Sequence, residues 1–182
     1  MGPPGAGKGT QSQSIVDKLS IIQISTGDIL RKAVSEETDL GLTAKKYMDS
    51  GELVSDAVVV GIIEERVQEP DCSNGFILDG FPRTKGQATA LDEMLKKIGK
   101  PINHVVYFDV PEKELIVRLL SRSEKEGRSD DNLDTIKNRL QIFKEKTEEL
   151  INFYQLRGLI RYVDGTGTEE DVRERLFSSV GI

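Results

Sequence analysis

Apolar residues recur along this chain in two rhythms that alternate. Short runs rich in β-branched and aromatic residues read as strands: Ile21-Ile22-Gln23-Ile24-Ser25, Gly75-Phe76-Ile77-Leu78-Asp79, Val105-Val106-Tyr107-Phe108 and Leu159-Ile160-Arg161-Tyr162-Val163. Between them apolar positions fall three and four apart, the spacing of a helix with one buried face. Ile15, Val16 and Leu19 predict a helix over residues 10–19, and residues 28–35 and 40–50 read as two more. Ser55 caps a further helix carrying Val58, Val59, Ile62, Ile63 and Val67, which Pro70 ends. Residues 85–98 form the next. Pro111 opens one that buries Leu115, Ile116, Leu119 and Leu120. Ile136, Leu140, Phe143, Leu150 and Phe153 predict a single long helix over residues 133–155, and Thr168 caps the last. Strands alternating with helices predict an α/β fold, a central parallel sheet with helices on both faces.

Two stretches between strands are longer than a simple crossover requires: residues 27–70, and the polar break at residues 121–131. Insertions of this kind act as lids over a reaction centre.

Composition narrows the setting. A chain of 182 residues is one ordinary domain, with room for small inserted subdomains but not for a second full domain. The net charge of -6 argues against nucleic acid or an acidic membrane as partner, so any anion site must be a local cluster of cations. One cysteine, Cys72, excludes an intramolecular disulfide and a multi-cysteine zinc site, which suits a reducing cytosol. The single histidine, His104, heads an apolar run and reads as structural. No run reaches the ~18 apolar residues of a membrane span, and no export signal opens the chain. The expectation is a soluble, cytoplasmic protein.

The chemistry is announced at the start, by Gly2-Pro3-Pro4-Gly5-Ala6-Gly7-Lys8-Gly9-Thr10. Spaced glycines let backbone N–H groups curl around phosphate oxygens, the following helix N-terminus adds partial positive charge, and a lysine reaches the phosphate. The loop satisfies G-x-x-x-x-G-K, with Gly9 where the general form has Ser or Thr and the hydroxyl one residue later at Thr10. Only Met1 precedes it, where a buried strand would stand.

Three further motifs follow in order: Ser25-Thr26-Gly27-Asp28-Ile29-Leu30-Arg31, Leu78-Asp79-Gly80-Phe81-Pro82-Arg83 and Arg128-Ser129-Asp130-Asp131. Together with the opening loop they resemble the successive motifs of adenylate kinases, over nearly the whole chain. The short segment around Glu124 to Arg128 resembles the short-lid members, without a zinc-binding lid. The resemblance implies a P-loop three-layer fold over residues 1–182, with an acceptor-binding (NMP) subdomain at 25–54 and a short lid at 121–131.

The resemblance also implies roles. Gly5, Ala6, Gly7, Lys8, Gly9 and Thr10 would hold the phosphates of ATP. Arg118 would pack on its adenine, near Gly165 and Gly167. Arg31 and Arg83 would hold the AMP phosphate, and Arg122, Arg128 and Arg139 would close over the transferring group. Thr26, Gln87, the Glu52-Leu53-Val54 segment and Gly80-Phe81-Pro82 would surround AMP. Asp79 would hold Mg²⁺, mainly through water. Asp130 and Asp131 resemble lid carboxylates that form closed-state contacts; an acidic surface turn is the alternative. Such a set fits phosphoryl transfer, which asks for in-line placement and neutralised oxygens more than for catalytic bases.

The implied activity is ATP + AMP ⇌ 2 ADP in a monomer, with ATP, AMP and ADP as small-molecule partners. Relatives acting on UMP and CMP typically carry Ala and Asn where Thr26 and Gln87 stand. A UMP/CMP kinase, a P-loop ATPase or GTPase, and an inactive nucleotide-binding fragment remain open at this level. The last arises from the missing strand, whose five or so buried residues at ~1.5–3 kcal/mol each are worth on the order of 10 kcal/mol. The expectation is a natural start upstream or a shortened chain.

Overall fold

The computed structural model describes the backbone of residues 1–182 and every side chain except that of residue 129. Helix and strand alternate as the pattern predicts. α1 (Lys8–Leu19) leads to β1 (Ile22–Ser25), then to α2 (Thr26–Ser35), α3 (Asp39–Ser50) and α4 (Asp56–Arg66). A 3-10 turn at Pro70–Cys72 precedes β2 (Phe76–Asp79), α5 (Lys85–Lys97), β3 (Val105–Asp109) and α6 (Glu112–Glu126). After a second 3-10 turn, Ser129–Asp131, come α7 (Leu133–Ile142), a π turn (Phe143–Thr147), α8 (Glu149–Gln155), β4 (Ile160–Asp164) and α9 (Glu169–Val180).

The strands form two parallel pairs. β1 lies beside β2, Ile22 opposite Phe76 through Ser25 opposite Asp79, and β3 lies beside β4, Val105 opposite Ile160 through Asp109 opposite Asp164. All the strands are parallel, as expected, but no described strand joins β2 to β3, so the sheet is divided into two halves.

Side chains alternate across a strand, and β3 uses both faces. Val106 and Phe108 pack with Ile15, Leu119, Val172 and Leu176 of α1, α6 and α9, whereas Val105 packs with Ala88, Leu150 and Tyr154 of α5 and α8. A third cluster, around Ile24, Val54, Ile63 and Leu91, ties β1 and β2 to α2, α4 and α5. Helices therefore cover both faces of a sheet whose strand ends are left open. Among the described residues no helix is long and apolar enough to cross a membrane.

Two elements depart from the pattern. Residues 121–126, expected to break it, continue α6, because a run of polar residues suits an exposed helix face; the helix stops at Gly127, whose φ of 64° is a left-handed C-terminal cap. The predicted long helix over 133–155 is interrupted by the π turn, where the Thr147 hydroxyl donates to the Arg83 carbonyl at 2.9 Å. The turn hands the helix from one apolar cluster, which takes Ile136 and Leu140, to another, which takes Leu150 and Tyr154.

Candidate active site

Everything that the motifs single out gathers around the C-terminal ends of the strands, where open α/β sheets bind ligands. The opening loop turns at Pro3, whose carbonyl accepts the Ala6 N–H at 3.2 Å. Gly5 and Gly7 then take φ values of 83° and 84°. At Gly5 a side chain has no room: an added Cβ would lie 2.9 Å from Leu119 Cγ and 3.0 Å from the Leu115 carbonyl oxygen. Gly7 caps α1 with no side-chain hydrogen bond to its first amides. Residues 4–11 line a cleft of about 730 Å³, so the helix N-terminus faces it with the electrostatics that favour an anion.

Cations line the same cleft. Arg31, Arg83, Arg118, Arg122, Arg128 and Arg139 border it with Lys8. The Lys8 ammonium folds back along the loop, donating to the carbonyls of Gly2 at 2.8 Å and Pro3 at 2.9 Å. Burial pushes its pKa from 10.5 down to about 8; Asp79 opposes the shift, while Arg83, Arg139 and Arg122 add to it. Arg83 is pushed down to about 10 by burial and then by the charge of Arg139. Six arginines and a lysine converging on one cleft that a helix N-terminus also faces is the electrostatic shape of a polyphosphate site, even though several of them are held by neighbouring carboxylates.

Asp131 anchors the opposite wall. Its carboxylate, fully buried, accepts from Arg122 Nε at 2.6 Å and Nη2 at 2.8 Å, and from Arg139 Nη1 at 2.7 Å. Asp130 adds a 3.0 Å contact to Arg139. The acidic surface turn is therefore excluded, and the two carboxylates aim arginines from α6 and α7. Burial works against the charge on Arg122, but the Asp131 carboxylate outweighs it and holds the guanidinium above its ordinary pKa.

A narrower crevice of about 70 Å³ opens beside the cleft. Thr26, Leu30, Met48, Val54, Val59 and Gln87 are among its walls, with Glu52 and Leu53. Arg31, Arg83 and Arg139 border both spaces. The Thr26 hydroxyl donates to the Gly80 carbonyl at 3.1 Å, tying the start of α2 to the turn after β2, and Arg83 Nε donates to that same carbonyl at 2.7 Å.

Three expected residues sit differently. Arg128 borders only the larger cleft, with its Nε on Glu126 at 2.6 Å. Phe81 and Pro82 face a neighbouring cavity with Met1 and Lys8, not the crevice. Gly167 borders the cleft beside Arg118, which donates to the Gly165 carbonyl at 2.8 Å.

The structure also supplies partners that the sequence left unnoticed. Gln23 Nε2 donates to Asp79 Oδ2 at 3.1 Å, and Asp56 holds both Gln87 and Thr84. These pairs span 56 and 31 residues in sequence, so no local motif signals them.

Asp79 stands at the end of β2, on the wall of the cleft. A Cβ added at Gly9 would lie 3.7 Å from its Oδ2, so the carboxylate adjoins the phosphate loop. One carboxylate beside a phosphate site fits Mg²⁺, which keeps most of its waters and takes its other ligands from the phosphates. Among the described residues no group of three or more His, Cys, Asp or Glu side chains comes together as a metal cage.

Fold and cleft together define a P-loop nucleotide-binding protein of the phosphotransferase class. Comparison with known proteins narrows the class. The sequence model of the family described as adenylate kinase matches residues 1–159. The chain is 57% identical to the adenylate kinase of Leptospira biflexa over 180 residues, covering 99% of this chain and 97% of that one. It is 49% identical to the adenylate kinase of Micrococcus luteus, over 99% of this chain and 88% of the relative. With the adenylate kinase of Xylella fastidiosa it shares 46% identity over 100% of this chain and 97% of the relative. The chain belongs to the adenylate kinase family.

Proposed function

We propose that this protein transfers the terminal phosphoryl group of ATP reversibly to AMP, giving two ADP, with Mg²⁺ as cofactor. The observation that carries the reading is that Arg31, Arg83 and Arg139 border both the cleft and the crevice. Cations shared by two adjoining sites suit a reaction in which the phosphates of donor and acceptor must meet in line.

In this reading the loop from Gly5 to Thr10 holds the donor phosphates, and Lys8 leaves the Gly2 and Pro3 carbonyls to reach the transferring group. Arg31 and Arg83 take the acceptor phosphate. Arg122, Arg139 and, as the lid closes, Arg128 neutralise the charge that spreads over the equatorial oxygens. Asp79 holds Mg²⁺ through water; the ion, when bound, neutralises the donor's phosphoryl oxygens. Arg118, with Gly165 and Gly167, receives the donor's adenine.

Residues 25–54 form the acceptor subdomain. A nucleotide needs a far larger space than about 70 Å³, so AMP enters when α3 swings off α7. The contacts released are Asn138 Nδ2 to the Ser50 carbonyl at 2.7 Å and the Thr135 hydroxyl to the Asp49 carbonyl at 3.4 Å. Residues 121–131 form the short lid on the donor side, and closure of both segments excludes water. The protein works as a monomer in the cytoplasm.

Thr26 and Gln87 support AMP over UMP or CMP, because relatives acting on UMP and CMP typically carry Ala and Asn at these positions; the Gln87 amide keeps one N–H and one lone pair free for the acceptor's base edge. Initial rates of ADP formation with AMP, CMP, UMP and no acceptor test the proposal. The expected result is fast turnover with AMP alone; equal rates with CMP or UMP, or ADP formed without any acceptor, would overturn it.

A further inference from the structure

The π turn between α7 and α8 has a local geometry that bears on the site. Its bond runs from the Glu148 N–H back five residues to the Phe143 carbonyl at 3.0 Å, where an α-helix would reach back four. One residue is thereby absorbed without advancing the helix. Turns of this kind recur at functional sites, and this one sets the direction of Thr147.

Thr147 follows Arg139 by eight positions, which in an unbroken helix of 3.6 residues per turn would put it about 80° around from Arg139. With one residue absorbed it behaves as the seventh, and positions i and i+7 share a face. Arg139 and Thr147 accordingly border one cavity with Arg83.

There Thr147 Oγ1 donates to the Arg83 carbonyl at 2.9 Å, across 64 residues of sequence. Thr147 is buried, 6% exposed, so little water reaches the bond to replace it. Arg83 is held at two other points: its N–H donates to Gln87 Oε1 at 2.7 Å and its Nε to the Gly80 carbonyl at 2.7 Å. Gln87 thus ties the peptide plane before the Arg83 Cα and Thr147 the plane after it. With both planes tied, the direction in which the side chain leaves the backbone is fixed.

We infer that Thr147 is a positioning residue for phosphoryl transfer: from the π turn it fixes the backbone of Arg83, and through it the guanidinium that borders both nucleotide spaces. The inference rests on the reading that Arg83 takes the acceptor phosphate. Thr147 acts through Arg83 and not on a nucleotide.

Three substitutions in the full chain test it. Thr147→Val keeps the shape and deletes the donor, Thr147→Ala deletes the donor without setting a methyl group against the carbonyl, and Thr147→Ser keeps the donor. KM for AMP should rise about tenfold in the valine and alanine variants, with KM for ATP within about twofold of the parent, and serine should restore both. Calorimetric titration with AMP and with adenosine, the donor site filled by a non-hydrolysable ATP analogue, gives a pattern that a purely structural role would not. AMP should bind about tenfold more weakly to the alanine variant, whereas adenosine, which has no phosphate, should bind as it does to the parent. Parent-like AMP binding in the alanine variant, equal losses for AMP and adenosine, or a serine variant as impaired as the alanine one would overturn the positioning role and leave the reading of the site standing. A parent chain that does not phosphorylate AMP would overturn that reading, and this inference with it.

Discussion

Asp56 holds the Gln87 amide in one orientation. Its Oδ1 accepts from Gln87 Nε2 at 2.8 Å, its Oδ2 accepts from the Thr84 hydroxyl at 2.7 Å, and Gln87 Oε1 accepts the Arg83 N–H at 2.7 Å. The amide, only 2% exposed, therefore cannot flip without placing like groups face to face. Asp56→Ala frees it. A hydrogen bond to a charged group is worth ~1.5–3 kcal/mol, so KM for AMP should rise about tenfold or more while KM for ATP stays near its parent value. Asp56→Asn keeps an acceptor oxygen and should fall between. Steady-state kinetics with each nucleotide varied in turn checks this; an unchanged KM for AMP in the alanine variant removes the positioning role.

Lys8 should couple nucleotide binding to protons. In the free protein its pKa lies at about 8, lowered chiefly by burial. Phosphate oxygens nearby favour the charged form and raise it. Binding of ATP at pH 8.5 should then take up protons, and affinity should decline as pH rises past 8 toward the raised value. Calorimetry in buffers of different ionisation enthalpy measures the uptake directly. Zero uptake, or proton release, would contradict the environment assigned to Lys8.

Asp131→Ala should be among the more damaging single changes outside the apolar core. It leaves Arg122 and Arg139 without their shared carboxylate in a part-buried site, a loss of about 3 kcal/mol and a fall of roughly 5–10 °C in Tm. Asp130→Ala, which removes one 3.0 Å side-chain contact to Arg139, should cost less than half as much. Thermal unfolding of the two variants side by side distinguishes an anchor from a surface turn, since equal small shifts would match the latter.

Gly5→Ala should cripple the loop while sparing the acceptor side. The φ of 83° and the close approach of Leu119 and the Leu115 carbonyl leave no place for a methyl group. We expect at least a tenfold loss in kcat/KM for ATP, with AMP binding little altered; equilibrium binding of each nucleotide separates the two.

The elements were legible in the sequence wherever apolar spacing was regular. The strands, the cap at Thr168 and the helix over residues 85–97 lie within a residue or two of their predicted places, and Ser55 takes the N-cap position of α4, though its side chain makes no capping hydrogen bond. Two features depended on what spacing cannot carry. Ile136, Leu140, Phe143, Leu150 and Phe153 keep a 3.6-residue period straight through Phe143–Thr147, so the sequence reads as one unbroken helix and carries no mark of the π turn. Residues 121–126 are polar in the helix as they would be in a loop, and only the left-handed Gly127 marks the end.

Within the site, the loop and the arginines follow from local motifs. Their aim does not. Arg122 and Arg139 point where Asp131 directs them, and Gln87 where Asp56 does, through contacts between elements far apart in the chain.

The central claim is direct transfer between two adjoining nucleotide sites, and following the γ-phosphoryl group of labelled ATP tests it most directly. With Mg²⁺ and AMP present, the account predicts label in ADP formed from AMP, with release of inorganic phosphate at background and the transfer of label abolished in Lys8→Met. Label appearing chiefly as free phosphate, or appearing there at the same rate without AMP, would contradict it.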